Sequence, residues 1–325
     1  MPARRIIGVD LGGTKLLAGA VDPSLGVHYR VQRAVTGLPQ RALLDMAVDA
    51  VTEARASAGA EVTAVGFGLP AVIDVRTGNV VVGAHTPLAD LAFADVMVER
   101  LGLPVFVDND GNNAALAEHR AGAARGATDA IIITLGTGIA GGLILGGRLY
   151  RGARGGAGEL GHMEIDYDGA PDADNCPGRG CAEMFVSGRA LAREADRLAA
   201  QRPDSGLARA VGEGRTLAGP LVTELAHDGD PAAIEAVELI GTRLGVVITS
   251  LVNIFNPEVV VVGGGMIAAG ELLLAPARAV VAERTFPFLS EGLRILPARF
   301  GVEAGMIGAA ALAYEGMAAL EEAAP

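Results

Sequence analysis

Gly136-Thr137-Gly138-Ile139-Ala140-Gly141 spells G-x-G-x-x-G, and its flanks decide the fold. A dinucleotide fingerprint needs a helix directly after its strand, so that the helix N-terminus receives the pyrophosphate. The strand before this stretch is there, as the apolar run Ala130–Leu135. On its other side stands Gly142-Leu143-Ile144-Leu145-Gly146-Gly147, which reads as a second apolar strand closed by a glycine turn. The stretch is therefore a strand, glycine-threonine turn and strand, and the Rossmann reading fails in its own context. Such a turn can still bring backbone N–H groups against a phosphate.

The same grammar occurs near the start of the chain. Arg4–Val9 reads as a strand, Asp10-Leu11-Gly12-Gly13-Thr14-Lys15 as the turn, and Lys15–Val21 as the returning strand, with Val27–Val35 after it. The two stretches read as a weak internal duplication of one hairpin unit. Gly12 and Gly13 allow close approach to a phosphate, Thr14 adds a hydroxyl, and Asp10 can hold magnesium through water. A plain hairpin turn is the competing reading. Lys15 is the only lysine of the chain and sits inside this turn. A third glycine turn, Gly263-Gly264-Gly265, comes after the buried strand Glu258–Val262. It can let an adenine or ribose lie against backbone, or simply join a strand to a helix.

Between these turns, helical spacing of Leu43, Leu44, Ala47, Val48 and Val51 predicts a helix from Pro39 to Ser57. Val62–Gly68 and Val105–Val107 read as buried strands, and Asn112–Ala121 as a helix. Residues 166–181 are polar and read as a loop. Asp230-Pro231 opens a helix that stops at Asn256-Pro257, and a last helix begins near Gly305. Alternating strands and helices with hairpins in both halves give an α/β protein of two lobes.

The chain has 325 residues, half of them hydrophobic and a fifth charged, as in a globular protein with two domains. A formal charge of −12 argues against nucleic acid or an anionic membrane as the main partner. No run approaches the ~18 uninterrupted apolar residues of a membrane span. The opening residues carry neither the longer apolar stretch nor the small-residue cleavage site of a signal peptide, so none is expected. Cys176 and Cys181 lie in one loop, which suits a metal or free thiols better than a disulfide framework. The expected location is the cytoplasm.

Two clusters carry candidate chemistry. Asp108-Asn109-Asp110-Gly111-Asn112 lies between a strand and a helix, where its side chains can grip vicinal hydroxyls. The bland alternative makes Asp110 an N-cap. Glu159 and His162, in Gly158-Glu159-Leu160-Gly161-His162, precede Cys176, Cys181 and Glu183. His162 with the two cysteines makes three of the four ligands a structural zinc prefers, and Asp172 or Asp174 would be the fourth.

Taken in order, Asp10–Lys15, Asn109-Asp110, Leu135–Gly142, Glu159–His162, Cys176–Glu183 and Val262–Gly265 resemble the ROK family (repressors, open reading frames and kinases), in particular its glucokinase branch. The resemblance covers essentially the whole chain. It implies an actin/hexokinase-like, ribonuclease H-like fold of two α/β lobes with an interlobe active-site cleft. The smaller lobe is expected over residues 1–118 with the C-terminal helix 304–325, and the larger over 119–303 with a metal loop at 162–183. It implies phosphorylation of a hexose, glucose first, with ATP and Mg2+, by a homodimer or homotetramer. N-acetylmannosamine, N-acetylglucosamine, mannose and fructose are the alternative sugars. Asp110 matches the family's catalytic base. Asn109, Glu159, His162 and Glu183 match positions that hold the other sugar hydroxyls, and Gly68 is a further candidate sugar contact. Gly12, Thr14, Gly136 and Thr137 match ATP phosphate contacts, with Asp10, Gly13, Lys15, Gly138, Gly264 and Gly265 as the remaining nucleotide candidates.

Two departures from the family pattern stand out. The family's zinc loop carries three cysteines, and here an aspartate replaces one. The family's Asn-Leu-Pro-like segment is Gly83-Ala84-His85-Thr86-Pro87-Leu88 in this chain. The family's repressors place a helix-turn-helix domain ahead of the first strand, and this chain is expected to lack one.

Overall fold

The computed structural model describes residues 4–74, 76–83, 86–170 and 176–323. From the N-terminus come β1 (Arg4–Leu11), β2 (Lys15–Val21), β3 (Val27–Ala34), α1 (Gln40–Ala56), β4 (Glu61–Leu69) and the short strands β5 (Ala71–Asp74), β6 (Asn79–Gly83) and β7 (Ala89–Leu91). Next are α2 (Phe93–Leu101), β8 (Val105–Asn109), α3 (Asp110–Ala121), β9 (Ala130–Leu135), β10 (Ile139–Leu145) and β11 (Arg148–Tyr150). Helices α4 (Glu183–Val186), α5 (Gly188–Gln201), α6 (Gly206–Gly212), α7 (Gly219–His227) and α8 (Pro231–Phe255) precede β12 (Val259–Gly263). Last come α9 (Glu271–Arg284), α10 (Pro287–Ser290), β13 (Arg294–Pro297) and α11 (Ala304–Ala323).

The chain divides into two compact units. The first comprises residues 1–126, 142–158 and 302–325, and the second 127–141 and 159–301. Residues 142–158 thus pack with the first unit, where the sequence division placed them in the other lobe. The reason is local: Gly142 lies against Gly111 and Ala115 of α3, and Arg151 reaches Asp108.

The first unit is built on a sheet ordered β3-β2-β1-β4-β8, antiparallel across β3, β2 and β1 and parallel across β1, β4 and β8. Alternation along β1 explains why both faces are covered. Ile7, Val9 and Leu11 join the core containing Leu43, Leu44, Ala47 and Val51 of α1. Ile6 points the other way, into a cluster with Ala310 and Ala313 of α11. The second sheet runs β11-β10-β9-β12-β13, with β9, β12 and β13 parallel. Each sheet therefore places a run of three consecutive strands beside two parallel ones, which is the duplication the paired glycine-threonine turns suggest.

In the second unit α8 begins at Asp230, whose side chain accepts the Ala233 N–H, and ends at Asn256 in the left-handed region (φ 45°). By length and composition α8 could cross a membrane, yet half of its most apolar window is buried in this unit. It packs against α5, α7 and α9, which makes it a core helix.

Candidate active site

In the first unit the strand register does most of the assembly. Asp10 on β1 pairs with Gly68 on β4, and Gly68 pairs with Asp108 on β8. Leu69 pairs with Asn109. Positions drawn from distant parts of the sequence therefore stand abreast at the C-terminal ends of three parallel strands. That is where open α/β sheets bind ligands.

The turn after β1 is closed by Gly12 N–H donating to the Lys15 carbonyl at 2.9 Å. Thr14 is exposed at its tip, and its carbonyl accepts the Val35 N–H at 3.0 Å. A cavity of about 320 Å³ opens beside this turn, lined by Gly12, Gly13, Val35, Leu38, Pro39 and Thr86 among others. Asp10 is crowded by the first turn of α11, where a Cβ at Gly305 would fall 2.7 Å from its Cγ. Burial raises the Asp10 carboxyl to about 6, with the Lys15 ammonium opposing the rise.

At the end of β8 the structure corrects the capping alternative. The N-cap of α3 is Asn109, not Asp110, and α3 starts two residues earlier than the expected Asn112. Asn109 Oδ1 accepts the N–H groups of Gly111 at 2.8 Å and Asn112 at 3.3 Å, and its Nδ2 donates to the Ala71 carbonyl at 3.3 Å. Asp110 is the first helical residue, and its Oδ1 accepts the Gly111 N–H at 2.9 Å. A carboxylate at the helix N-terminus sits in a favourable dipole field. Behind it Asp108 is 1 % exposed and receives the Asn109 N–H at 2.8 Å, Asn112 Nδ2 at 2.8 Å and Arg151 Nε at 2.6 Å.

In the second unit the Gly136–Gly138 turn is closed by Gly136 N–H donating to the Gly138 carbonyl at 2.9 Å, with Thr137 exposed. The strand resumes at Ile139, two residues before the expected Gly141. Gly188 N–H donates to the Gly136 carbonyl at 2.9 Å, which seats the N-terminus of α5 on this turn. Glu183, 6 % exposed, accepts the Ile139 N–H at 2.6 Å and Arg189 Nη2 at 2.6 Å. Glu159 stands at the N-cap of a short 3-10 turn that ends in His162, with His162 Nε2 and Glu159 Oε2 3.9 Å apart. Partial desolvation raises the Glu159 carboxyl; His162 opposes this and Glu183 adds to it. Gly264 has φ 82°, and a Cβ there would fall 2.2 Å from the Leu135 carbonyl oxygen, so glycine is required; Gly265 is exposed.

Cys176 and Cys181 are free thiols whose sulfurs lie 3.6 Å apart, far beyond a disulfide bond. The ligand atoms of His162, Cys176 and Cys181 all lie within 4.8 Å of one another. A tetrahedral zinc with bonds of about 2.3 Å to sulfur separates two thiolates by roughly 3.8 Å, so the residues fit that ion. Gly178 N–H donates to Cys176 Sγ at 3.3 Å. Asp172 and Asp174, like Ala84 and His85, lie outside the described residues.

Sequence reasoning singled out neither Arg151 nor Arg189. Each is one arginine among many, and its partner is identified only by the fold.

Paired glycine-threonine hairpins on two similar sheets, with a carboxylate at a strand-to-helix junction, define a protein of the actin/hexokinase-like fold. The ROK family model matches residues 6–315, and the chain belongs to the ROK family. Its relatives include a glucokinase of Streptomyces coelicolor, 34 % identical over 95 % of this chain and 97 % of that protein. Among solved structures, the ROK glucokinase of Streptomyces griseus in complex with glucose and AMPPNP has a TM-score of 0.85 and 36 % identity, covering 96 % of this chain and all of that one. A ROK hexokinase of Thermus thermophilus has a TM-score of 0.76 and 33 % identity, covering 97 % and 99 %.

Proposed function

We propose that this protein is an ATP-dependent hexokinase that phosphorylates the 6-hydroxyl of glucose. The observation that carries the reading is the junction of β8 and α3. Asn109 caps the helix there, and Asp110 follows as its first residue, at the position the ROK resemblance gives to the base. The similarity to glucokinases over nearly the whole chain supports the same reaction. In this mechanism the Asp110 carboxylate accepts the proton of the sugar 6-hydroxyl as that oxygen bonds to the γ-phosphorus. The bond from the γ-phosphorus to the β,γ-bridging oxygen breaks, and ADP leaves. Such a transfer asks the protein mainly for alignment, charge stabilisation and one positioned base.

Asn109, Glu159, His162, Glu183 and Gly68 are assigned to the sugar. Gly12, Gly13, Thr14 and Lys15 of the first turn and Gly136, Thr137 and Gly138 of the second are assigned to the phosphates. Gly264 and Gly265 are assigned to the nucleoside end. Asp10 would hold Mg2+ through water, and that ion would neutralise charge on the transferred phosphate. His162, Cys176 and Cys181 would hold a structural zinc that orients the Glu159–His162 segment. Phe286, Phe288 and Ile254 are 71, 81 and 64 % exposed where α10 lies against α8 and α9, which supports a homodimer or homotetramer. The cytoplasm is the location that suits ATP chemistry and free thiols.

The test is ADP release with ATP across glucose, mannose, fructose, N-acetylglucosamine and N-acetylmannosamine. Glucose should give the highest kcat/KM. Stimulation by an acetamido-hexose above glucose would reassign the sugar, and no stimulation by any hexose would overturn the kinase reading with ATP as donor.

A further inference from the structure

We infer that Arg151 is a positioning residue for phosphoryl transfer, acting through the buried Asp108 carboxylate on the turn that carries Asn109 and Asp110. The inference rests on the assignment of Asp110 as the base. Asp108 is 1 % exposed, so its charge is almost wholly removed from water. Among the described residues it accepts three hydrogen bonds, and two come from its own turn, the Asn109 N–H and Asn112 Nδ2, both at 2.8 Å. The third comes from Arg151 Nε at 2.6 Å, a charged donor 43 positions away in sequence. A buried carboxylate that loses its one charged partner is strongly destabilised, and relief comes by movement, hydration or protonation. Any of these disturbs a backbone in which Asp108 and Asp110 are two residues apart.

The rest of Arg151 is held in place. Its carbonyl accepts the Ala157 N–H at 3.1 Å, closing the loop after β11. Gly152 beside it has φ 71°. The guanidinium is thus delivered by a braced loop, and its side chain is 28 % exposed. Displacement of a reacting group by about 1 Å can cost ~10²-fold in rate. Loss of Arg151 should therefore lower kcat and leave the nucleotide KM nearly unchanged.

The test compares Arg151→Met, Arg151→Lys, Asp108→Asn and the double variant Asp108→Asn/Arg151→Met by steady-state kinetics with glucose and ATP, after thermal unfolding shows which are folded. Arg151→Met should lower kcat roughly 10- to 100-fold with the ATP KM changed less than about threefold. Arg151→Lys should recover part of the loss. The double variant should be several-fold more active than Arg151→Met, because removing the orphaned charge relieves the strain it imposes. A folded Arg151→Met with wild-type kcat overturns the inference. A loss that neither Lys nor the second substitution relieves overturns it too, since Arg151 would then act independently of Asp108. If Arg151→Met does not fold, Arg151→Lys and the double variant carry the same comparison. Failure of the wild-type protein to turn over any hexose would instead overturn the assigned reaction.

Discussion

Glu183 accepts the backbone N–H of Ile139 at 2.6 Å, so a side chain assigned to the sugar also braces the strand that leaves the second glycine-threonine turn. Its other oxygen takes Arg189 Nη2 at 2.6 Å. Glu183→Ala would leave the buried Ile139 N–H without its acceptor, at a cost of about 1–3 kcal/mol. The KM for ATP should rise along with that for glucose. Glu183→Gln retains an acceptor oxygen and should be milder in both. Initial-rate kinetics with each substrate varied in turn checks this, and a rise confined to glucose would show that the brace is unimportant.

Asp110→Asn keeps the size and helix position of the side chain and removes its basicity. Turnover should fall by about 10²–10⁴-fold, the span general bases contribute. Glucose affinity by calorimetry should stay within a few-fold of wild type. Near-normal turnover would take Asp110 out of the mechanism.

Burial raises Asp10 to about 6 from an ordinary 3.8. A carboxyl raised on folding contributes stability that is fully present below its unfolded value and is lost as pH rises through its folded one. The neutral carboxyl therefore favours the fold below about pH 4, and that contribution disappears by about pH 7. At pH 7.5 Asp10→Asn should be more stable than wild type by up to about 3 kcal/mol, with the gap closing as pH falls toward 4. The same variant should lose activity with Mg-ATP. Unfolding midpoints across pH 4–8 test this, and a pH-independent gap would exclude the titration of Asp10 as its cause.

If His162, Cys176 and Cys181 hold a structural zinc with a fourth ligand, protein purified without added metal should contain about one zinc per chain. Cys181→Ser should lower both the zinc content and the thermal midpoint. Metal analysis beside a melting curve decides the matter, and a clearly substoichiometric wild type would remove zinc from the fold.

Much of the architecture is legible without coordinates. Short buried strands such as β12 are continuous β-branched runs, and α8 announces itself through Asp230-Pro231 and Asn256. The rejected dinucleotide motif is also local, because the apolar residues after Gly141 decide it. Errors gather at boundaries, where one residue moves a role. Asp110 is an acceptable cap by type, yet Asn109 caps α3 because its Oδ1 reaches both Gly111 and Asn112.

What the sequence by itself determined is the inventory: two glycine-threonine turns, the Asn109-Asp110 pair, a Glu159–His162 turn and two thiols. These are readable because each depends on neighbours within a few residues. Only the tertiary structure decided that Asp10, Gly68 and Asp108 share one register row, and that Arg151 and Arg189 are the partners of Asp108 and Glu183. Strand register and buried charge pairing join residues far apart in the chain. Their energies come from desolvation and close packing, which local residue type does not encode.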